Sequence, residues 1–211
     1  VFPEAALAEA AAAEPMPLGK REDLRDLPLV TIDPSDARDH DDAVCAMADD
    51  DPSNPGGHVV WVAIADVAAY VRPGSALDKE ARRRGNSSYF PDRVVPMLPE
   101  ELSGDLCSLI DNADRPCIAV RMQIGPDGAK RSHRFTRGLM RSQATLSYGQ
   151  AQAAADGNPD DETAPFLETV IRPLWAAWRA AHAERDLRQP LNLDLPERRI
   201  ILSDEGKVES V

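Results

Sequence analysis

Residues 29–48, LVTIDPSDARDHDDAVCAMA, decide how the chain is to be read. Leu29 to Asp33 is apolar and β-branched and reads as a short strand, and Ala43 to Ala48 reads as a second. Between them Asp33, Asp36, Asp39, Asp41 and Asp42 crowd one connection. Two unit charges about 4 Å apart repel by roughly 4 kcal/mol at an effective dielectric near 20, so such crowding calls for solvent or a counter-charge. Asp33 ends one strand, Pro34 to Ala37 turn the chain, and Asp39 to Asp42 open the next, so carboxylates from both sides of the turn can converge at one rim. A hard divalent cation is the natural compensation. Mg²⁺ prefers a few carboxylates together with waters and substrate phosphates, which favours an open phosphoryl-transfer site over a closed cage. A solvated acidic loop is the other reading, and composition leaves both open. An EF-hand is excluded, because the segment lacks the glycine and the twelfth-position glutamate that such a loop needs.

Outward from this stretch, His58 to Asp66 (HVVWVAIAD) reads as a third, buried strand. The intervening ADDDPSNPGG is a turn-rich loop, and its Asp49, Asp50 and Asp51 are expected to be solvated. Residues 3–14 are helix-prone, with Pro3 suited to a first turn, and a proline- and charge-rich linker follows. Residues 1–27 are thus a helix and linker preceding the main domain, which takes up 28–211. Ser75 or Asp78 could cap a helix through Lys79 to Arg84 that Gly85 would end. Arg115 to Ile124 and Lys130 to Met140 predict a hairpin around GPDG, and Leu146 to Ala155 a short helix. Thr163 to Leu187 carries one apolar helical stripe that Pro173 should kink or split. Arg199 to Leu202 and Val208 to Val211 suggest a last hairpin. The expected fold is α+β, a mixed, largely antiparallel curved sheet flanked by helices, with the acidic loop at one rim.

The chain has 211 residues, with 24 Lys plus Arg against 36 Asp plus Glu, for a net charge of −12. This argues against a self-sufficient nonspecific nucleic-acid binder, so any polyanion site must be local. Cys45, Cys107 and Cys117 are odd in number and lack C-x-x-C spacing, which excludes a zinc ribbon or disulfide framework and suggests small apolar residues in a reducing cytosol. No apolar run is long enough for a membrane span. The alanine-rich opening carries Glu4 and Glu9 where a signal peptide would be basic. His40, His58, His133 and His182 show no ligand spacing, and no Ser-His-Asp or Cys-His arrangement stands out.

VTIDPSDARDHDDAV resembles the signature I-D-x-x-D-A-x-D-x-D-D-A of the ribonuclease II and ribonuclease R family. WVAIADVAAYVRPGSALDKEARRRGNSSYFPDRVVPMLPEELSGDLCSL is similar to the continuation of the same catalytic (RNB) domain, in its ribonuclease R form more than its ribonuclease II form. The resemblance covers about residues 20–150 strongly and the rest weakly. It implies a processive 3'-to-5' exoribonuclease that hydrolyses single-stranded RNA to nucleoside 5'-monophosphates with Mg²⁺, or Mn²⁺ as a substitute. By the same similarity Asp33 and Asp42 hold the metal that grips the scissile phosphate, Asp39 and Asp41 serve a second metal, and Asp41 is the carboxylate on which chemistry depends most. Asp36 falls at a position read as structural, capping the turn.

Tyr89 matches the family tyrosine that stacks on the terminal base, although the residues alone leave it between stacking and core packing, and Phe90 is expected in the core. Tyr148 resembles another position near the RNA path, with an ordinary helix-start aromatic as the alternative. Lys79, Arg82, Arg83 and Arg84 form a dense basic patch that could touch phosphates or simply suit a helix end. The family's later E-E-x-M-x-x-A-N and R-Y-x-x-x-x-S-P-I-R-R-Y segments are not among these residues, nor are cold-shock or OB-type domains. The resemblance therefore implies the N-terminal part of an RNB domain, inactive alone. The alternative is a catalytically incomplete RNA- or protein-binding module with a structural metal site.

Overall fold

The computed structural model describes residues 1–191, 200–203 and 205–210. In chain order α1 spans Glu4–Ala11, β1 Glu22–Asp23, β2 Thr31–Asp33, β3 Asp42–Ala48, β4 His58–Ala65, α2 Ala76–Arg84, β5 Ser88–Tyr89 and β6 Val94–Val95. β7 (Asp114–Ile124), β8 (Lys130–Arg141), β9 (Thr145–Ser147), α3 (Tyr148–Ala155), α4 (Arg172–Leu187), β10 (Ile201–Leu202) and β11 (Val208–Ser210) follow. The main sheet runs β1-β8-β7-β4-β3, antiparallel except where β1 joins β8. This is the mixed α+β architecture expected from the strand and helix signals.

Period-two patterning explains why β4 sits inside the sheet. Val59, Trp61, Ala63 and Ala65 face one core, where they meet Ala43 and Cys45 of β3, Cys117 and Ala119 of β7, and Leu24, Leu29 and Leu109 from the loops. The three cysteines are buried free thiols, and burial raises their pKa values to about 12, 12 and 11. On the opposite face Ala46 is buried as well, and α4 packs on β3 and β4. Ile64, Ile118 and Phe135 of that face stay exposed.

The β7–β8 hairpin closes through Gly125–Gly128 as the GPDG signal predicts. Gly128 has φ +81°, and a Cβ there would lie 1.9 Å from the Ala180 carbonyl oxygen of α4, so glycine is required by both conformation and space.

Local signals also set the helices. Ser75 caps α2 by accepting from the Asp78 N–H at 3.1 Å, and Gly85 ends it at φ +82°. The α2 N-terminus is further satisfied by Glu9 of α1, whose carboxylate accepts from the Ala76 and Leu77 N–H groups at 2.9 Å each. Ala6 and Ala10 of α1 pack with Leu77, Leu98 and Leu102, so the opening helix is docked on the fold. Pro173 falls where the winding changes: a wide helical turn at Leu167–Ile171 passes directly into α4, which carries the proline in its first turn, so the helical backbone is continuous there rather than split. Leu146 and Ser147, where the sequence pattern starts the short helix, instead belong to β9, and α3 begins at Tyr148. β10 and β11 make the last hairpin; Arg199 and Val211, which the sequence reading includes in it, lie outside the described residues. Among the described residues no helix is long and apolar enough to cross a membrane.

β2 positions the acidic loop. Val30, just before it, bridges to Val44 of β3, but the three residues of β2 pair in parallel with β9, placing Asp33 opposite Ser147. The loop thus leaves one small sheet and enters the main sheet at Asp42.

Candidate metal and RNA site

Asp33 ends β2, and the chain turns at once, with the Ala37 N–H donating to the Pro34 carbonyl at 3.0 Å. Asp36 lies inside this turn. The return limb is pinned by a different part of the chain. The His40 N–H donates to Ser108 Oγ at 2.9 Å, the Ser108 hydroxyl donates to the Arg38 carbonyl at 3.2 Å, and the Leu109 N–H donates to the His40 carbonyl at 2.8 Å. The Asp41 carbonyl then accepts from the Ala65 N–H at 2.9 Å, and Asp42 opens β3 opposite Ile64. Three segments distant in sequence therefore hold the aspartates at one rim. Ser108 and His40 were not legible as contributors. Ser108 carries no motif, and the only hint of His40 is a histidine flanked by acids.

The electrostatics agree with the crowding. The pKa of Asp41 is raised, first by loss of hydration and then by repulsion from Asp39, Asp42 and Asp33, against a smaller opposing effect of His40. Asp42 is raised by loss of hydration and then by Asp33. Both side chains reach solvent, but protein packed around their stems removes part of their water. Among the described residues no three carboxylates, imidazoles or thiols already form a metal-binding group, so the array is open. An oxygen-only donor set that repels itself while facing solvent fits a hard divalent cation that keeps some of its waters.

Tyr89 stands beside the acids. The short hairpin of β5 and β6 carries it, its ring is 65% exposed, and its hydroxyl donates to Asp39 Oδ2 at 2.5 Å. That bond to a carboxylate, with some burial and nearby negative charge, pushes the phenol up to about 12. A core role for Tyr89 is thereby excluded. Phe90, expected in the core, is a correction: it is 49% exposed, with the Arg93 guanidinium 5.3 Å from its ring centre, because the chain turns back between Phe90 and Arg93 and leaves the ring outside. Tyr148 is 60% exposed and follows Ser147, the strand partner of Asp33, so its backbone lies at the same rim. Ser147 and Gln150 form a reciprocal cap that starts α3 there.

The basic patch is largely spoken for. Arg82 pairs with Asp78, and Arg83 and Arg84 both pair with the buried Glu80, whose pKa falls to about 2 as a result. Such internal pairing leaves little charge for phosphates.

Comparison with known proteins identifies the architecture. Residues 21–211 match the RNB domain. The chain belongs to the RNB domain family. This RNB domain is 45% identical over 192 residues to the ribonuclease R of Vibrio parahaemolyticus, covering 90% of the chain and 22% of that protein. It is 40% identical over 193 residues to the ribonuclease R of Escherichia coli, covering 90% and 23%. Among solved structures it resembles Mycoplasma genitalium RNase R in complex with double-stranded RNA, with a TM-score of 0.89, 27% identity, and coverage of 99% of this chain and 37% of that one. The RNB domain described here thus spans less than a quarter of the length of these two ribonuclease R proteins.

Proposed function

We infer that this RNB domain carries the metal-binding and 3'-end-gripping part of an exoribonuclease that degrades single-stranded RNA from its 3' end to nucleoside 5'-monophosphates. The observation that carries this reading is the union, at one rim, of an open set of mutually repelling carboxylates with the exposed ring of Tyr89 bonded to one of them. Asp33, Asp39, Asp41 and Asp42 would hold Mg²⁺, or Mn²⁺ in its place. When bound, such cations supply an ionised water nucleophile and stabilisation of the leaving 3' oxygen. Asp41 is the carboxylate on which hydrolysis depends most. Its neighbours give it the largest number of like charges of any acid at the rim for which a shift is seen.

Tyr89 would stack on the last base and set the terminal phosphate over the acids, and Tyr148 would contact RNA beside it. Stacking is indifferent to base identity because every base has a π face, as an enzyme that digests any RNA requires. The domain by itself would be inactive: it is strongly acidic, and the three arginines that end α2 are tied to Asp78 and Glu80. Phosphate charge needs cationic groups that other parts of the protein would provide.

The test uses the intact enzyme and a uniform 3'-to-5' substrate. Mg²⁺ should support release of nucleoside 5'-monophosphates and a chelator should stop it, while Tyr89→Ala should alter the length of the final undigested oligonucleotide. Nucleoside 3'-monophosphates, or full activity in chelator, would sink the assignment.

A further inference from the structure

His40 stands in sequence between Asp39 and Asp41, yet it is only 7% exposed. Its backbone is fixed on both sides, by Ser108 Oγ at 2.9 Å and the Leu109 N–H at 2.8 Å. The ring is thereby committed to the interior, and its Nδ1 lies 2.8 Å from Asp33 Oδ2. An ionised carboxylate can only accept, so Nδ1 carries the hydrogen of this bond. The bond links the two limbs of the acidic turn, since Asp33 belongs to β2 and His40 to the strand-opening side. A ring buried here for packing alone could be any aromatic or aliphatic side chain; an imidazole donating to the strand-end acid does something an apolar ring cannot.

We propose that His40 is a positioning residue for the cation site: it holds Asp33 by one oxygen, leaving the other for the metal, and ties that ligand to the limb bearing Asp39, Asp41 and Asp42. The inference rests on the reading of Asp33 as a cation ligand. A carboxylate with free rotation about its side-chain bonds must be ordered when it binds a cation, whereas one already anchored has met that cost. Supporting hydrogen bonds of this kind typically set metal affinity by roughly 10- to 100-fold. Ser108 contributes indirectly, because its hydroxyl fixes the backbone from which the ring projects.

The experiment is a Mn²⁺ titration of the intact protein followed by electron paramagnetic resonance, for the wild type, His40→Phe, His40→Gln and His40→Asn. Phenylalanine fills the site without a donor. Glutamine places its amide nitrogen where Nε2 lies rather than Nδ1, and asparagine places its amide nitrogen near Nδ1. His40→Phe and His40→Gln should each weaken Mn²⁺ binding by roughly 10- to 100-fold, and His40→Asn should recover most of the loss. RNA affinity without metal should be the same in all four. Two variants without a donor at the Nδ1 position keep the question open to test if one fails to fold. Wild-type affinity in either of them, or an equal loss in all three variants, would overturn the positioning role while leaving the cation site standing. A wild-type protein that takes up no Mn²⁺ would overturn the site and this inference together.

Discussion

Asp49, Asp50 and Asp51 lie between β3 and β4, and Asp39, Asp41 and Asp42 lie at the opposite end of β3, so one strand separates two acidic runs of similar composition. In the first run Asp49 and Asp51 are answered locally. Asn54 Nδ2 donates to Asp49 Oδ2 at 2.7 Å, Ser53 donates to Asp51 through its hydroxyl and its N–H, and Gln123 of β7 donates to both acids. These bonds lower the pKa values of Asp49 and Asp51. At the other end the pKa values of Asp41 and Asp42 rise, because lost hydration and neighbouring carboxylates outweigh any donor. An acidic run that supplies its own donors is a structural element, here a loop strapped to β7. One left short of positive partners is prepared for a partner from outside.

The largest effect that would break this contrast is on catalysis. In the intact enzyme Asp41→Asn should lower hydrolysis by about a hundredfold or more, the scale of several kcal/mol that cation chemistry supplies, with RNA binding largely kept. Asp50→Asn should leave the rate within about twofold, because surface substitutions away from special features have little effect. Steady-state release of mononucleotides beside a binding titration measures both. Near-normal hydrolysis by Asp41→Asn would equate the two runs.

Next in size is stabilisation by metal. At a hundred times its dissociation constant, Mg²⁺ or Mn²⁺ should stabilise the protein by about 2.7 kcal/mol through mass action. Thermal denaturation should show this in the wild type and in Asp49→Asn. In Asp33→Asn the same shift should require a clearly higher metal concentration. A shift that Asp49→Asn abolishes and Asp33→Asn leaves unchanged would move the site to the wrong end of β3.

How much of this could be read in the amino acids depends on the range of the interaction. The strands around the acids, the Ser75 cap, the Gly85 stop, the GPDG turn and the change of winding at Pro173 rest on contacts within a few residues, and all are visible as local patterns. The choice of β9 as partner for β2 is not: a three-residue parallel pair between remote segments leaves no periodicity, so Leu146 and Ser147 read as the start of a helix. Asp33, Asp39, Asp41 and Asp42 were picked out by crowding and by the family signature, Tyr89 and Tyr148 by the family alone. Phe90 was misplaced because an aromatic beside a proline looks the same in a core and on a turn. His40 and Ser108 stayed hidden, since their role exists only once Leu109 returns to the acidic loop.

The smallest effects sharpen the comparison most, because they differ in sign. Without metal, Asp42→Asn removes a repelling charge and should raise the melting temperature by roughly 1–2 °C, an estimate reduced for solvent screening. Asp49→Asn removes the acceptor of the Asn54 and Gln123 bonds and should lower it. The two effects also follow pH differently. A carboxylate with its folded pKa above the ordinary 3.8, such as Asp42, costs stability when ionised in the fold, and that cost fades as pH falls through the raised value toward 3.8. The gain from Asp42→Asn should therefore shrink as pH falls through the raised value and vanish only below 3.8. Asp49, lowered from 3.8, contributes stability that is fully present above 3.8 and lost as pH drops through its depressed value. The deficit of Asp49→Asn should accordingly persist down to about that pH and close only below it. Melting curves of the three metal-free proteins between pH 3 and 7 would show a positive and a negative difference converging at separate pH values; two differences of the same sign at pH 7 would mean that the two runs do not differ in the way their hydrogen bonds indicate.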